Sequence, residues 1–490
     1  IIEKNLNRET LLESAFIADS LITSTTEILE KQNVSEKNIT FVIKIFIKLD
    51  GTDTSLDLTF DDITSLQSEF SETYLRLFGF KPVSKKLVIE SVFVEAVGGT
   101  DVNMKNNKIS KEFTRLKPVI ANKKVFIDGE WNDCQFFPIE NLSKNSIVNG
   151  PAVLVGSQTS ILLKRGWEGT LLESGTIKLK RVNIFLPQKH TESAQIEVFN
   201  NLFMSIAEQM GFVLEKTAQS ITIKERLDFS CAIFDRNGEL VANAPHMPVH
   251  LGSMDSTVKS IIKNNSSLSP GDLFAINAPY NGGTHLPDIT IVNPIWNSKK
   301  SEIIFFTAAR GHHTDIGGLT PGSMPCNSTD IHEEGIYIDN WKIVDNGVFK
   351  EDAIKNKLLS GSYPARSPLT NIADLKAQIA ACKKGEAELL KIVDKYGLET
   401  VFRFQELVCQ NAENAVRESI KSIKTTEFTY QMDDDLSGAP RKINIKLKPN
   451  KKDSSIEVDF HGTTMQLESN YNAPLPVTRA AVLYAFRILT

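Results

Sequence analysis

The sequence lacks most of the features that would assign it a class at once. Its five cysteines (Cys134, Cys231, Cys326, Cys382, Cys409) are odd in number and far apart, and no CxxC pair occurs. That excludes a dense disulfide frame and a thiolate zinc site, and it favours free thiols in a reducing, cytoplasmic setting. No run of 18 apolar residues is present, so a membrane-spanning helix is not expected. There is no excess of basic residues: the net charge is −5, the pI is near 6.0 and the lysines are scattered, so nucleic acid is not an expected partner. Neither a GxxxxGK[ST] loop nor a GxGxxG turn opening a helix after a strand occurs, which leaves ATP no visible cradle in this stretch. No histidine precedes His190.

At 490 residues the chain is long enough for more than one domain, and its 41% hydrophobic and 23% charged residues are ordinary for a folded, water-soluble protein. It starts at Ile1 without Met and stops inside the apolar run AAVLYAFRILT, so we expect it to represent part of a longer polypeptide. The patterning predicts an α+β protein: a β-rich N-terminal module over 1–182, then a larger α/β domain over 191–490 with mixed sheets and long helices. The first module reads as a helix over 8–31 with Leu11, Leu12, Ala15, Phe16, Ile22 and Leu29 on one stripe. A strand FVIKIFIKL follows, then a helix ending at Gly79, and then short strands such as KVFIDGEW and GPAVLVGSQTSILLKRGW. Residues 183–192, NIFLPQKHTE, read as a linker. Beyond it we expect a helix from Ser193 to Met210 closed by Gly211, and a hairpin turning at Asn237-Gly238. A helix over 250–263 should follow, with two long helices over 371–395 and 398–423, the first capped by Asn371 with Asp374.

Six of the eight histidines fall between His246 and His332, on Gly- and Asp-rich loops between apolar runs at 273–276, 289–292 and 303–308. Strand ends can aim short loops precisely enough to build a site. His285 and Asp288, three apart around Pro287, can reach one ion, and His312-His313 follows the next strand. Two imidazoles and a carboxylate leave open positions on a metal, as catalytic ions require. Neighbouring residues on an extended segment point oppositely, so only one of His312 and His313 ligates. The spacing leaves the choice open; we favour His313, with His312 a catalytic candidate in the pocket wall or behind the ligands. The competing reading is that these histidines simply tie loops together by hydrogen bonds. Asp228 is a candidate for holding a histidine from behind, and Glu334, beside Glu333, for a general base. His246 and His250, separated by Pro248, could line the pocket or cap a helix.

The segments ERLDFSCAIFDRNGELVANAPHMPVHLGSM, APYNGGTHLPDITIV, ARGHHTDIGGLTPGSMP and HEEG resemble the B half of the ATP-dependent hydantoinases and oxoprolinases, over about 191–490. LDGTDTSL, GEWNDC and GPAVLVGSQTSILLKRGW resemble the C-terminal part of the A half. A-type and B-type sequence in one chain, in that order, implies the fused oxoprolinase type. The resemblance implies an enzyme that opens the lactam of 5-oxo-L-proline to L-glutamate. It further implies an actin-like ATPase region, outside this stretch, that uses ATP and Mg to phosphorylate the substrate. In the B half it implies a divalent metal (Zn, Mn or Fe) on His285, Asp288 and either His312 or His313. An N-methylhydantoinase, an acetone carboxylase-type subunit or a non-catalytic partner of an ATPase are the alternatives. A homo-oligomer is expected, and the stretch alone is expected to be inactive.

Overall fold

Several strands of the C-terminal half are continuous apolar runs rather than alternating ones, which is the pattern of a sheet covered on both faces. The computed structural model describes residues 1–52, 54–78, 86–98, 121–182, 192–265, 267–433 and 441–490. Seven strands form the main sheet: β1 (Phe229–Asp235), β2 (Leu240–Asn243), β3 (Leu273–Ile276), β4 (Asp288–Trp296), β5 (Ile303–His312), β6 (Trp341–Asp345) and β7 (Val348–Phe349). Their spatial order is β2-β1-β5-β4-β3-β6-β7, and every pairing is antiparallel.

The helices that matter here are α1 (Glu192–Thr217), α2 (Pro248–Leu251), α3 (Met254–Asn264), α4 (Pro368–Tyr396) and α5 (Leu398–Ser422). On one face of the sheet, Phe229, Cys231, Ile289, Ile291, Phe305 and Ala309 pack with Phe203, Leu375, Cys382 and Phe404 of α1, α4 and α5. On the other face, Phe234, Phe274, Val292, Phe306 and Ala308 pack with Met254, Val258 and Ile261 of α3. Alternation thus sends successive residues of β5 into two different cores. Each buried Phe of this kind contributes about 1.5–3 kcal/mol of transfer free energy.

By compactness the chain divides into one unit of residues 1–31, 40–97 and 195–490, and a second of 32–39 and 98–194. The first unit also holds a four-stranded sheet from the N-terminal region, around Ile45, Ile47, Leu58, Leu66 and Phe70. The second contains two small sheets, of four and three strands. One of them begins with the KVFIDGEW hairpin, Ala121–Ile127 against Glu130–Pro138, turning at Asp128 and Gly129 with φ of 52° and 88°. Among the described residues no helix is long and apolar enough to cross a membrane.

Several local expectations are corrected. The helix Arg8–Lys31 buries Thr10, Ser14 and Ala18, while Leu12 and Phe16 are exposed. Its apolar residues cover too wide an arc for all of them to be shielded. Gly211 does not close α1 but lies within it, and the ring of His246 takes the space a side chain would need: a Cβ there would be 2.7 Å from His246 Cε1. The expected hairpin does turn at Asn237-Gly238, between β1 and β2, and its loop is gathered by Asp235, whose Oδ1 accepts from the amides of Asn237 and Glu239 at 2.8 Å each. The helix expected over 250–263 is broken into α2 and α3 at Gly252 and Ser253. Asn371 is not an N-cap but lies inside α4, and Asp374 accepts instead from the amides of Gln219 and Ser220, 2.6 and 3.0 Å away. Gly79 and the linker over 183–191 lie outside the described residues.

Candidate metal centre

β4 begins with Asp288 and β5 ends with His312, and the antiparallel register places these two residues directly opposite each other. Opposed residues share a face of the sheet. The His312 amide donates to the carbonyl of Asp228 at 3.0 Å, so Asp228, His312 and Asp288 form a row across the ends of β1, β5 and β4. His285 arrives from the loop before β4, with Nε2 3.2 Å from Asp288 Oδ1 and its ring centre 4.9 Å from that of His312. One donor atom from each of His285, Asp288 and His312 lies within 4.8 Å of the others.

The loop carrying His285 is held from below. Thr284 Oγ1 donates to Asp288 Oδ2. Gly282 has φ +98°, and a Cβ on it would be 2.2 Å from the Thr257 amide nitrogen, so only glycine fits. The Gly282 carbonyl accepts from Thr257 Oγ1 at 2.6 Å and from Arg310 Nη2 at 3.0 Å. Arg310 is fully buried two residues before His312, on the same face. It also donates to Thr290, Ser253 and Thr257 hydroxyls at 2.7, 2.5 and 2.8 Å, and burial lowers its pKa to about 10.

A third imidazole joins from α2. His250 Nε2 lies 3.1 Å from Asp288 Oδ2 and 3.7 Å from Asp228 Oδ1, and its Nδ1 lies 3.2 Å from Ser230 Oγ. Burial alone would raise the pKa of Asp288, but His250 and His285 outweigh it and hold the carboxyl well below the usual range. Burial likewise works against charge on His285, yet Asp288 beside it and Asp228 further off raise its pKa. For His312 burial prevails: despite Asp288 nearby, the ring is held neutral to lower pH.

Two atoms of this group are buried without a hydrogen bond, Asp288 Oδ1 and His312 Nδ1. His285 Nε2 is close to the former but not aligned to donate to it. Buried polar atoms are nearly always satisfied, so two orphans on residues whose donor atoms gather within 4.8 Å fit a cation site. Two imidazoles and a carboxylate suit a divalent ion of the Zn, Mn or Fe type.

His313, favoured from the sequence as the ligand, is not part of this group. It points to the opposite face of the sheet, fully buried, with Nε2 3.1 Å from Gln378 Oε1 and Nδ1 3.2 Å from Asn371 Nδ2, both on α4. The imidazole that comes within reach is His312, expected in the pocket wall or behind the ligands. Glu334 does not converge either: it lies in the loop after β5 and accepts from Ser328 Oγ at 2.9 Å. His246 accepts from the Cys231 amide at 3.1 Å and stacks obliquely on Phe229, away from the three donors. Arg310 and Gln378 are not among the residues expected from the sequence to form the site, and for His250 the sequence allows either pocket wall or helix cap. Arg310 had a visible signal, a lone charge in the buried run IIFFTAARGH with the parity of His312.

Residues 192–490 match the family described as hydantoinase B/oxoprolinase, and residues 8–182 match the hydantoinase/oxoprolinase C-terminal domain. The chain belongs to the hydantoinase B/oxoprolinase family. Within this family it is 36% identical to 5-oxoprolinase 1 of Arabidopsis thaliana, over 96% of this chain and 39% of that protein. It is 35% identical to the 5-oxoprolinase of Saccharomyces cerevisiae, over 94% of this chain and 37% of that one. The chain thus spans well under half the length of these relatives. Among solved structures it shares its fold with the ATP-dependent caprolactamase of Pseudomonas jessenii. The TM-score is 0.54 at 22% identity, over 61% of this chain and 51% of that one.

Proposed function

We propose that this chain is part of an ATP-dependent 5-oxoprolinase, which hydrolyses the lactam of 5-oxo-L-proline to L-glutamate, and that the Asp288 centre serves the hydrolytic half of the reaction. The observation that carries this reading is 36% identity to a 5-oxoprolinase across 96% of the chain. A lactam resists water because its nitrogen donates into the carbonyl. Phosphorylation of the carbonyl oxygen, assigned here to an ATPase region beyond this stretch, would turn that carbon into an imidate-like electrophile. Water then adds to that carbon and the ring C–N bond breaks, the nitrogen leaving as the protonated amine; the acyl phosphate that remains is hydrolysed by a second water to the carboxylate and inorganic phosphate.

His285, Asp288 and His312 would hold a divalent ion, which when bound lowers the pKa of water toward neutrality. The protein's own groups organise the rest. His250 Nε2 lies 3.1 Å from Asp288 Oδ2 and its Nδ1 faces Ser230 Oγ at 3.2 Å, so the ring would brace Asp288 from behind. Asp228, the more exposed carboxylate, remains able to take a proton from an attacking water.

The test is ATP-dependent release of glutamate from 5-oxoproline by the intact protein, with N-methylhydantoin and caprolactam assayed in parallel. We expect turnover of 5-oxoproline, lost in Asp288→Asn and His312→Ala. Turnover of another cyclic amide in its place would overturn the substrate, and native turnover by Asp288→Asn would overturn the site.

A further inference from the structure

The side of the sheet opposite the metal centre carries a hydrogen-bonded chain that ends on the same two strands. Gln378, fully buried on α4, donates through Nε2 to the carbonyls of Ile289 at 2.7 Å and Ala309 at 2.8 Å. A primary amide nitrogen has two hydrogens, and both are used. These carbonyls also fix the amide's orientation, since a flipped amide would turn its own oxygen onto two acceptors. Gln378 Oε1 is therefore the atom facing His313 Nε2 at 3.1 Å, and His313 must carry its proton on Nε2. Asn371 Nδ2 donates to the Asp315 carbonyl at 2.9 Å and meets His313 Nδ1 at 3.2 Å, so Nδ1 is an acceptor already in use. His313 is thus a neutral imidazole of one tautomer with no lone pair left for a metal.

The two carbonyls that Gln378 ties together lie one residue after Asp288 and three residues before His312, on neighbouring strands. His313 is bonded in sequence to His312, and its amide donates to the Pro287 carbonyl at 2.9 Å, next to Asp288. We propose that Gln378, His313 and Asn371 act as a clamp on the rear of the sheet, positioning Asp288 and His312 at the spacing a divalent ion requires. None of the three touches the ion; they work through the strand ends. The proposal rests on the reading of His285, Asp288 and His312 as metal donors.

The probe is Co²⁺ alone, titrated into the metal-stripped intact protein, with affinity and the visible ligand-field spectrum as readouts beside the thermal midpoint. Gln378→Leu should weaken Co²⁺ binding about 10- to 100-fold and alter the spectrum. His313→Gln can still offer an N–H to Gln378 Oε1 and should recover most of the affinity. A folded Gln378→Leu with native affinity and spectrum overturns the clamp, because a merely structural role would move the midpoint and neither of the others. If Gln378→Leu does not fold, Asn371→Ala decides: it frees the imidazole's other nitrogen and the Asp315 carbonyl but leaves Gln378 in place, and native Co²⁺ binding there overturns the proposal. His285→Ala separates the two ideas. Unchanged Co²⁺ binding in that variant removes the metal reading and the clamp with it, whereas loss in His285→Ala with none in Gln378→Leu removes the clamp alone.

Discussion

Asp288 and His312 stand directly opposite each other on adjacent antiparallel strands, and the next residue, His313, is turned to the other side of the sheet. The two neighbouring histidines should therefore answer mutation differently. His312→Ala should abolish divalent-metal binding with little change in unfolding free energy, since its Nδ1 has no hydrogen bond to lose. His313→Ala should cost about 2–4 kcal/mol, because it leaves Gln378 and Asn371 groups unpaired and opens a cavity. Urea denaturation and metal titration on both variants measure the split.

His250 supports the centre through the carboxylate rather than as one of the three donors. His250→Leu removes the ring nitrogen 3.1 Å from Asp288 Oδ2. Metal affinity should fall about 10- to 100-fold, as for other residues that orient a ligand from behind. Isothermal titration with Zn²⁺ or Mn²⁺ reads this directly, and an unchanged constant would assign His250 to packing alone.

The loop before His285 tolerates no side chain at Gly282. Gly282→Ala combines a positive φ with a Cβ 2.2 Å from the Thr257 amide, and must displace either the loop or α3. The expected loss is about 3 kcal/mol or more, accompanied by weaker metal binding because His285 shifts. Thermal unfolding of the variant with and without metal tests both parts.

Stability should depend on pH through His246. Burial, with His250 adding to it, lowers its pKa from 6.5 to about 4 in the folded chain. The unfolded chain takes up that proton near pH 6.5, the folded chain only near pH 4. Protons therefore favour unfolding across this window, and stability present above pH 6.5 is lost as the pH falls toward 4. The loss is on the order of 3 kcal/mol. Denaturant unfolding from pH 7 to 4 should show a shallower decline in His246→Gln than in the native protein.

The sequence by itself determined the elements and the ingredients of the site. Continuous apolar runs marked β3, β4 and β5, helical spacing marked α4 and α5, and the His-x-x-Asp turn after two glycines marked the loop. The strand and helix signals were readable because they arise from local backbone geometry and burial, which act within a few residues. The tertiary structure decided which of these groups meet. Alternation requires that His312 and His313 face opposite sides, but not which side carries Asp288. That depends on the register of β4 against β5 and on which helix covers each face. His250 comes to Asp288 from 38 residues before it in the sequence, and Gln378 reaches His313 from 65 residues after it. Such distant pairs leave no local pattern. Asn371 and Asp374 mark the same limit, reading as a cap because capping is local, while their partners at 313, 219 and 220 exist only once α4 lies against the sheet.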